Sequence, residues 1–211
     1  MDFSGEKQRE LLKKEIDLVD TIESNQKAQF KNNPYRDDAS DRVVIILDVR
    51  NITARENQEY CNLCIDYAKL LTDTLRGRKC IAAIAVDSLI KDAGKDSARI
   101  FHNQLKASGF RLELIRPSNN KGKQEGVDVK IGLIAQKFVL CRLCDVVELI
   151  TGDGDFTVLV ESLQNDGARV HVTSYNKSLS YSLRDQADSV TILDDLTVVK
   201  LYPKTEIAEA A

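Results

Sequence analysis

Five acidic and amide side chains in three short segments are the residues of this chain best suited to chemistry. One apolar run ends in Asp48-Val49-Arg50-Asn51, a later one ends in Thr151-Gly152-Asp153-Gly154-Asp155-Phe156, and Asp128 stands between them in Gly126-Val127-Asp128-Val129. Singly, an aspartate after a buried strand often does no more than cap the helix that follows. Gathered in one place, the carboxylates repel one another, and the strain is relieved by protonation of one member or by a cation. A hard divalent ion, Mg²⁺ or Mn²⁺, matches an all-oxygen ligand set and keeps several waters. It can hold a phosphate oxygen while a bound water becomes the nucleophile. Asn51 adds an amide that orients a water or a phosphate oxygen without adding charge. Gly152 and Gly154 are expected to let the backbone turn sharply and leave space for a substrate.

The elements around these residues must bring them together. Short, continuously apolar runs at 43–49, 80–88, 110–116, 145–151 and 168–174 have the pattern of strands buried on both faces. Segments at 56–76, 95–108, 127–143 and 156–166 are long enough to be crossover helices, and a helix over 179–186 precedes a last short strand near 190–193. Strand and helix alternating in this way predict a mostly parallel sheet covered by helices on both faces, a three-layer α/β/α Rossmann-like fold. In such a sheet ligands sit beyond the carboxyl ends of the strands. Asp48, Asp128, Asp153 and Asp155 would then share one edge. Asp87, ending the second run, could lie at the rim of that cluster, whereas Asp145 opens a strand and reads as a solvated turn residue.

Residues 1–40 read as an amphipathic helix followed by a polar linker. Leu11, Leu12, Ile16, Leu18, Val19 and Ile22 form one helical face that suits packing on the domain, on a second copy or on a protein partner. Residues 41–196 form the globular domain, and 197–211 a polar tail. With 211 residues, 43% hydrophobic, one substantial core is the natural expectation. A net charge of −3 excludes a generally basic nucleic-acid binder, so any such role must come from a local site. No run approaches the roughly 20 apolar residues of a membrane span, and the amino terminus lacks the order of a secretory signal, which predicts a cytoplasmic protein with no membrane partner. Five cysteines, an odd number, fit reduced thiols. Cys61-x-x-Cys64 and Cys141-x-x-Cys144 invite a zinc reading, but both pairs fall in segments read as helical, where such cysteines are more often small buried hydrophobes. His102 and His171 stand alone and receive no catalytic role.

The series ILDVRN, GVDVKIG, ELITGDGDF, GARVHVTSY and SLSYSLRDQADSVTIL resembles the NYN domain of the PIN-like ribonuclease superfamily, across about residues 43–193. The resemblance implies a PIN-like fold over 41–196 and hydrolysis of RNA phosphodiesters by a metal-activated water. It also implies active-site positions at Asp48, Asn51, Asp128, Asp153 and Asp155, the four aspartates being the metal ligands. Two departures stand out. Many members have Lys-Gly before Val-Asp-Val and a further acid six residues after its aspartate, where this chain has Glu125-Gly126 and Ile134.

Substrate contacts are expected from Thr151, from Lys121 and Lys123 in a loop at 116–126 that suits a flap over RNA, and from Tyr175 and Asn176 after the fifth strand. Lys177 and Tyr181 share that edge. Two other readings compete with hydrolysis of RNA. Glu125 and Ile134 motivate a catalytically weak RNA-binding or partner-binding module on the same fold. A phosphohydrolase acting on a small nucleotide ranks last, because no phosphate-cradling glycine loop accompanies the acids.

Overall fold

The computed structural model describes residues 38–56, 63–88, 95–116, 126–193 and 199–201. The chain divides into two units, Met1–Asp38 and Ala39–Ala211, and the sheet with its helices belongs to the second. The expected amino-terminal helix, the loop lysines Lys121 and Lys123, and Cys61 all lie outside the described residues.

Six strands form one parallel sheet: β1 (Arg42–Asp48), β3 (Lys79–Ser88), β4 (Arg111–Ile115), β5 (Val146–Ile150), β6 (Arg169–Ser174) and β7 (Ser189–Ile192), in the order β4-β3-β1-β5-β6-β7. The first half of the chain builds outward from β1 in one direction and the second half in the other. The switch of direction therefore falls between β1 and β5, where an open α/β sheet leaves a crevice for ligands.

Alternation along β1 divides the core in two. Val44 and Ile46 face a cluster with Val127, Ile131 and Ile134 of α4 (Val127–Leu140), Val160 and Leu163 of α5 (Thr157–Asn165), and Leu183 of α6 (Tyr181–Gln186). Val43, Ile45 and Leu47 face Ile52 of α1 (Val49–Glu56), Leu70 of α2 (Tyr67–Leu75) and Leu105 of α3 (Lys95–Ala107). The expected three-layer α/β/α architecture is what the chain forms, and β1 is apolar from Val43 to Leu47 because both of its faces are covered.

The segment read as one helix over 56–76 is broken. Asp66 takes an extended conformation and its side chain accepts the Lys69 N–H at 3.1 Å, capping α2. Just before it, β2 (Leu63–Ile65) pairs antiparallel with β8 (Val199–Leu201), so a strand comes from the segment read as a polar tail. Three-residue strands carry too little periodicity to be read from sequence. This also corrects the cysteines: Cys64 lies in β2, Cys141 is the exposed residue that ends α4, and Cys144 is buried just before β5.

At the amino edge of the sheet, Asp145 is a paired residue. The Arg42 guanidinium grips its two oxygens at 2.8 and 2.9 Å, and this hydrogen bonding holds the Asp145 carboxyl below the usual range.

Candidate active site at the β1 and β5 carboxyl ends

Asp48 is the last residue of β1 and continues the Val44, Ile46 face, toward α4. It is 5% exposed. Burial pushes its carboxyl up to about 6; nearby Asp128 and Asp153 push the same way, against hydrogen bonds from the Asn51 N–H and the Thr151 hydroxyl. Asp128, in the first turn of α4, is raised too, by desolvation and then by Asp153 and Asp155. No cation of the described residues is among the groups that set either value. Asp48 thus senses Asp128 and Asp153, and Asp128 senses Asp153 and Asp155, at the switch point. The order of the sheet brings them there from three separated segments.

A hydrogen-bonded scaffold holds the acids. The Thr151 hydroxyl donates to Asp48 Oδ2 at 3.2 Å and accepts the Asp153 N–H at 3.3 Å. The Asn51 N–H donates to Asp48 Oδ1 at 3.2 Å, while Asn51 Oδ1 accepts the Gly152 N–H at 2.8 Å. Asp153 opens a short 3₁₀ turn, Gly154–Phe156, and its Oδ1 accepts the Asp155 N–H at 3.0 Å. Asp155 itself is exposed.

This geometry corrects several expectations. Thr151 is 1% exposed with both hydroxyl functions engaged, so it positions Asp48 and Asp153 and does not touch substrate. Asn51 spends its carbonyl oxygen on the β5 loop, so it is a tie between loops whose NH₂ alone is left to orient water or phosphate. Tyr175 is buried in the second core with Ile150 and Leu193 and cannot stack on a base. Asn176 is exposed and accepts a hydrogen bond from Arg184 at 2.7 Å. The glycines serve packing, where access for substrate was expected. A Cβ on Gly152 would collide with the Ser178 carbonyl oxygen and Ser174 Oγ, and one on Gly154 would lie 2.9 Å from Ser180 Oγ. Ile134 is buried in the first core, so the position of the family's additional acid carries no ligand here.

Asp87 is not at the rim of the cluster. It follows Ala83 and Ala85 on the opposite face of the sheet, where Arg50 Nε donates to it at 2.8 Å and His102 Nε2 lies 2.9 Å from it. Sequence reasoning missed this triad because its members come from a strand end, the next turn of α1 and the middle of α3. The only available signal was that Asp87 ends an apolar run and needs a partner when buried.

Among the described residues no three His, Cys, Asp or Glu side chains converge closely enough to hold an ion as arranged. The donor set nevertheless fits a hard cation. It consists of carboxylate oxygens, and the buried Asp48 carboxyl is held up to about 6 with no positive charge of the described residues set against it, a charge that a divalent ion would supply.

A Rossmann-like sheet with aspartates at the switch-point ends of β1 and β5 defines the class of α/β proteins that handle ligands at the carboxyl edge of the sheet. Residues 42–194 match the NYN domain model, and the chain belongs to that family of the PIN-like ribonuclease superfamily, whose members are generally nucleases. The chain is 34% identical over 96 residues to uncharacterized protein y4oD of Sinorhizobium fredii (strain NBRC 101917 / NGR234), an alignment covering 44% of this chain and 45% of that protein. It thus spans less than half the length of that relative. Its fold is similar to the crystal structure of VPA0982, a protein of unknown function from Vibrio parahaemolyticus RIMD 2210633. The TM-score is 0.65 at 27% identity, over 76% of this chain and 97% of the other. Among the described residues no helix is long and apolar enough to cross a membrane.

Proposed function

We propose that this protein hydrolyses RNA phosphodiester bonds with a water activated by Mg²⁺ or Mn²⁺ at the aspartate cluster. The observation that carries the reading is the gathering of Asp48, Asp128, Asp153 and Asp155 at the switch point, where the neighbouring acids add to burial in raising the Asp48 and Asp128 carboxyls and no cation among the described residues opposes them. Asp48, Asp128 and Asp153 would hold the ion, with Asp155 assisting. The ion would neutralise the carboxylates, acidify a bound water and stabilise charge on the scissile phosphate.

The chain's own residues then have separable tasks. Asp48 presents a carboxylate from a rigid strand end. Thr151 fixes the distance between that strand end and the Asp153 turn, and Asn51 pins the Gly152 amide so that the turn cannot swing away. Asp128, on the first turn of α4, would supply the third carboxylate.

Buried Ile134 favours a second reading, a module of the same fold that binds RNA or a partner and cuts weakly or not at all. Incubating mixed structured and single-stranded RNA with wild type and Asp153→Asn, in Mg²⁺, Mn²⁺ and EDTA, separates the two. Metal-dependent cutting by the wild type alone supports the nuclease. RNA bound but left intact by both proteins under every condition supports the binding module. We place the protein in the cytoplasm, as an expectation from sequence.

A further inference from the structure

We propose that Tyr181 is a base-stacking platform beside the acidic site, the residue of this chain that takes the face of an unstacked base of the RNA. The inference rests on the nuclease reading and deepens it.

Tyr181 is the most exposed of the large hydrophobic side chains among the described residues, at 85%. The backbone that carries it is nonetheless fixed to the catalytic turn from both sides. The Ser180 N–H donates to the Gly152 carbonyl at 3.0 Å, and Ser180 Oγ caps α6 by accepting the Leu183 N–H at 3.1 Å. The Thr157 hydroxyl donates to the Gly154 carbonyl at 2.7 Å and its oxygen lies 3.1 Å from the Ser182 hydroxyl. Gly154, between Asp153 and Asp155, has room only for a hydrogen, since a Cβ there would stand 2.9 Å from Ser180 Oγ and 3.3 Å from Ser182 Oγ. The two residues flanking Tyr181 thus both abut the turn that carries two of the acids. The ring stands out in water on backbone anchored beside those acids.

Among the other aromatic side chains described, Tyr67, Phe110, Phe156 and Tyr175 are buried and Phe101 and Phe138 are half-buried. Val158, next to Thr157, is 74% exposed and adds apolar surface near the same turn. An acidic cluster in a chain of net charge −3 gains little from phosphate attraction, whereas an aromatic face binds any base without charge. In a duplex the base faces are already stacked on one another and are not available to it.

The chain contains no tryptophan, so Tyr181→Trp places a single indole at the proposed platform. In the full chain carrying Asp153→Asn to prevent cutting, with Mg²⁺ present, a single-stranded oligoribonucleotide should quench that emission saturably, and a duplex of the same sequence at equal concentration should not. Tyr181→Ala should weaken single-strand binding, measured by fluorescence anisotropy, by roughly 5- to 150-fold, with Tyr181→Phe close to wild type. Unquenched emission with unchanged affinity in Tyr181→Ala overturns the platform while leaving nuclease activity standing. A Tyr181→Ala effect confined to oligomeric state likewise overturns it. Neither binding nor cutting of RNA by the wild type overturns both readings together.

Discussion

The hydroxyl of Thr151 lies 3.2 Å from Asp48 Oδ2, joining the carboxyl ends of two adjacent strands whose residues are 103 positions apart in the chain. The same oxygen accepts the Asp153 amide, so one buried side chain sets the spacing of two acids. Replacing it with valine keeps the shape and deletes both bonds. Thr151→Val should lower kcat for RNA cleavage at least about tenfold with KM little changed, since a positioning loss acts on the reacting geometry. Thr151→Ser should retain most activity in the same steady-state assay. Equal losses in the two variants would remove Thr151 from this role.

Burial holds the Asp48 carboxyl at about 6 in the fold, against an ordinary value near 3.8. The folded protein therefore binds the proton more tightly than the unfolded chain does. The stability of the metal-free protein should fall as pH rises from about 4 to about 6, by up to ~3 kcal/mol from this group, and stay low above that. Asp48→Asn should remove that slope and raise the metal-free melting temperature at pH 7 by about 3 °C or more. Thermal melts of the two proteins in EDTA at pH 5 and 7 test this, and parallel profiles would contradict it.

Gly152 sits against the Ser178 carbonyl and the Ser174 hydroxyl with no room for a methyl group. Gly152→Ala should cost about 1–3 kcal/mol in urea unfolding and also reduce cleavage, because the displaced loop carries Asp153. An alanine variant with wild-type stability would show that the loop relaxes freely.

Arg50, two residues after Asp48, turns to the other face of the sheet and pairs with Asp87, which His102 also contacts. Arg50→Ala should destabilise the fold by about 1–3 kcal/mol by leaving a buried carboxylate short of a partner, while cleavage per folded molecule stays near wild type. A large loss of kcat in fully folded protein would instead bring the Asp87 group into the reaction.

Much of this was legible in the sequence. Runs such as VVIILDV are apolar on both faces, the pattern of interior strands, and the acids at or just beyond the strand ends followed onto one edge. What was not legible depends on which way a side chain points and on distant contacts. Tyr175 follows a strand just as a binding residue would, yet it faces the second core. Thr151 and Asn51 are polar residues at the acidic edge, and only the pairing of β1 with β5 shows that the Thr151 hydroxyl donates to Asp48 and the Asn51 carbonyl oxygen is spent on the Gly152 N–H. The break at Asp66 is set by a three-residue strand whose partner is at the far end of the chain.

Cleavage of RNA in ¹⁸O-labelled water with Mg²⁺, by wild type and Asp153→Asn, puts the attacking water itself under test. Metal-activated hydrolysis should give shortened RNA with ¹⁸O in the product phosphate and no 2′,3′-cyclic end, lost with EDTA and in the variant. Cleavage that persists in EDTA and in Asp153→Asn, or cyclic ends without label, would contradict a metal-activated water at the aspartate cluster.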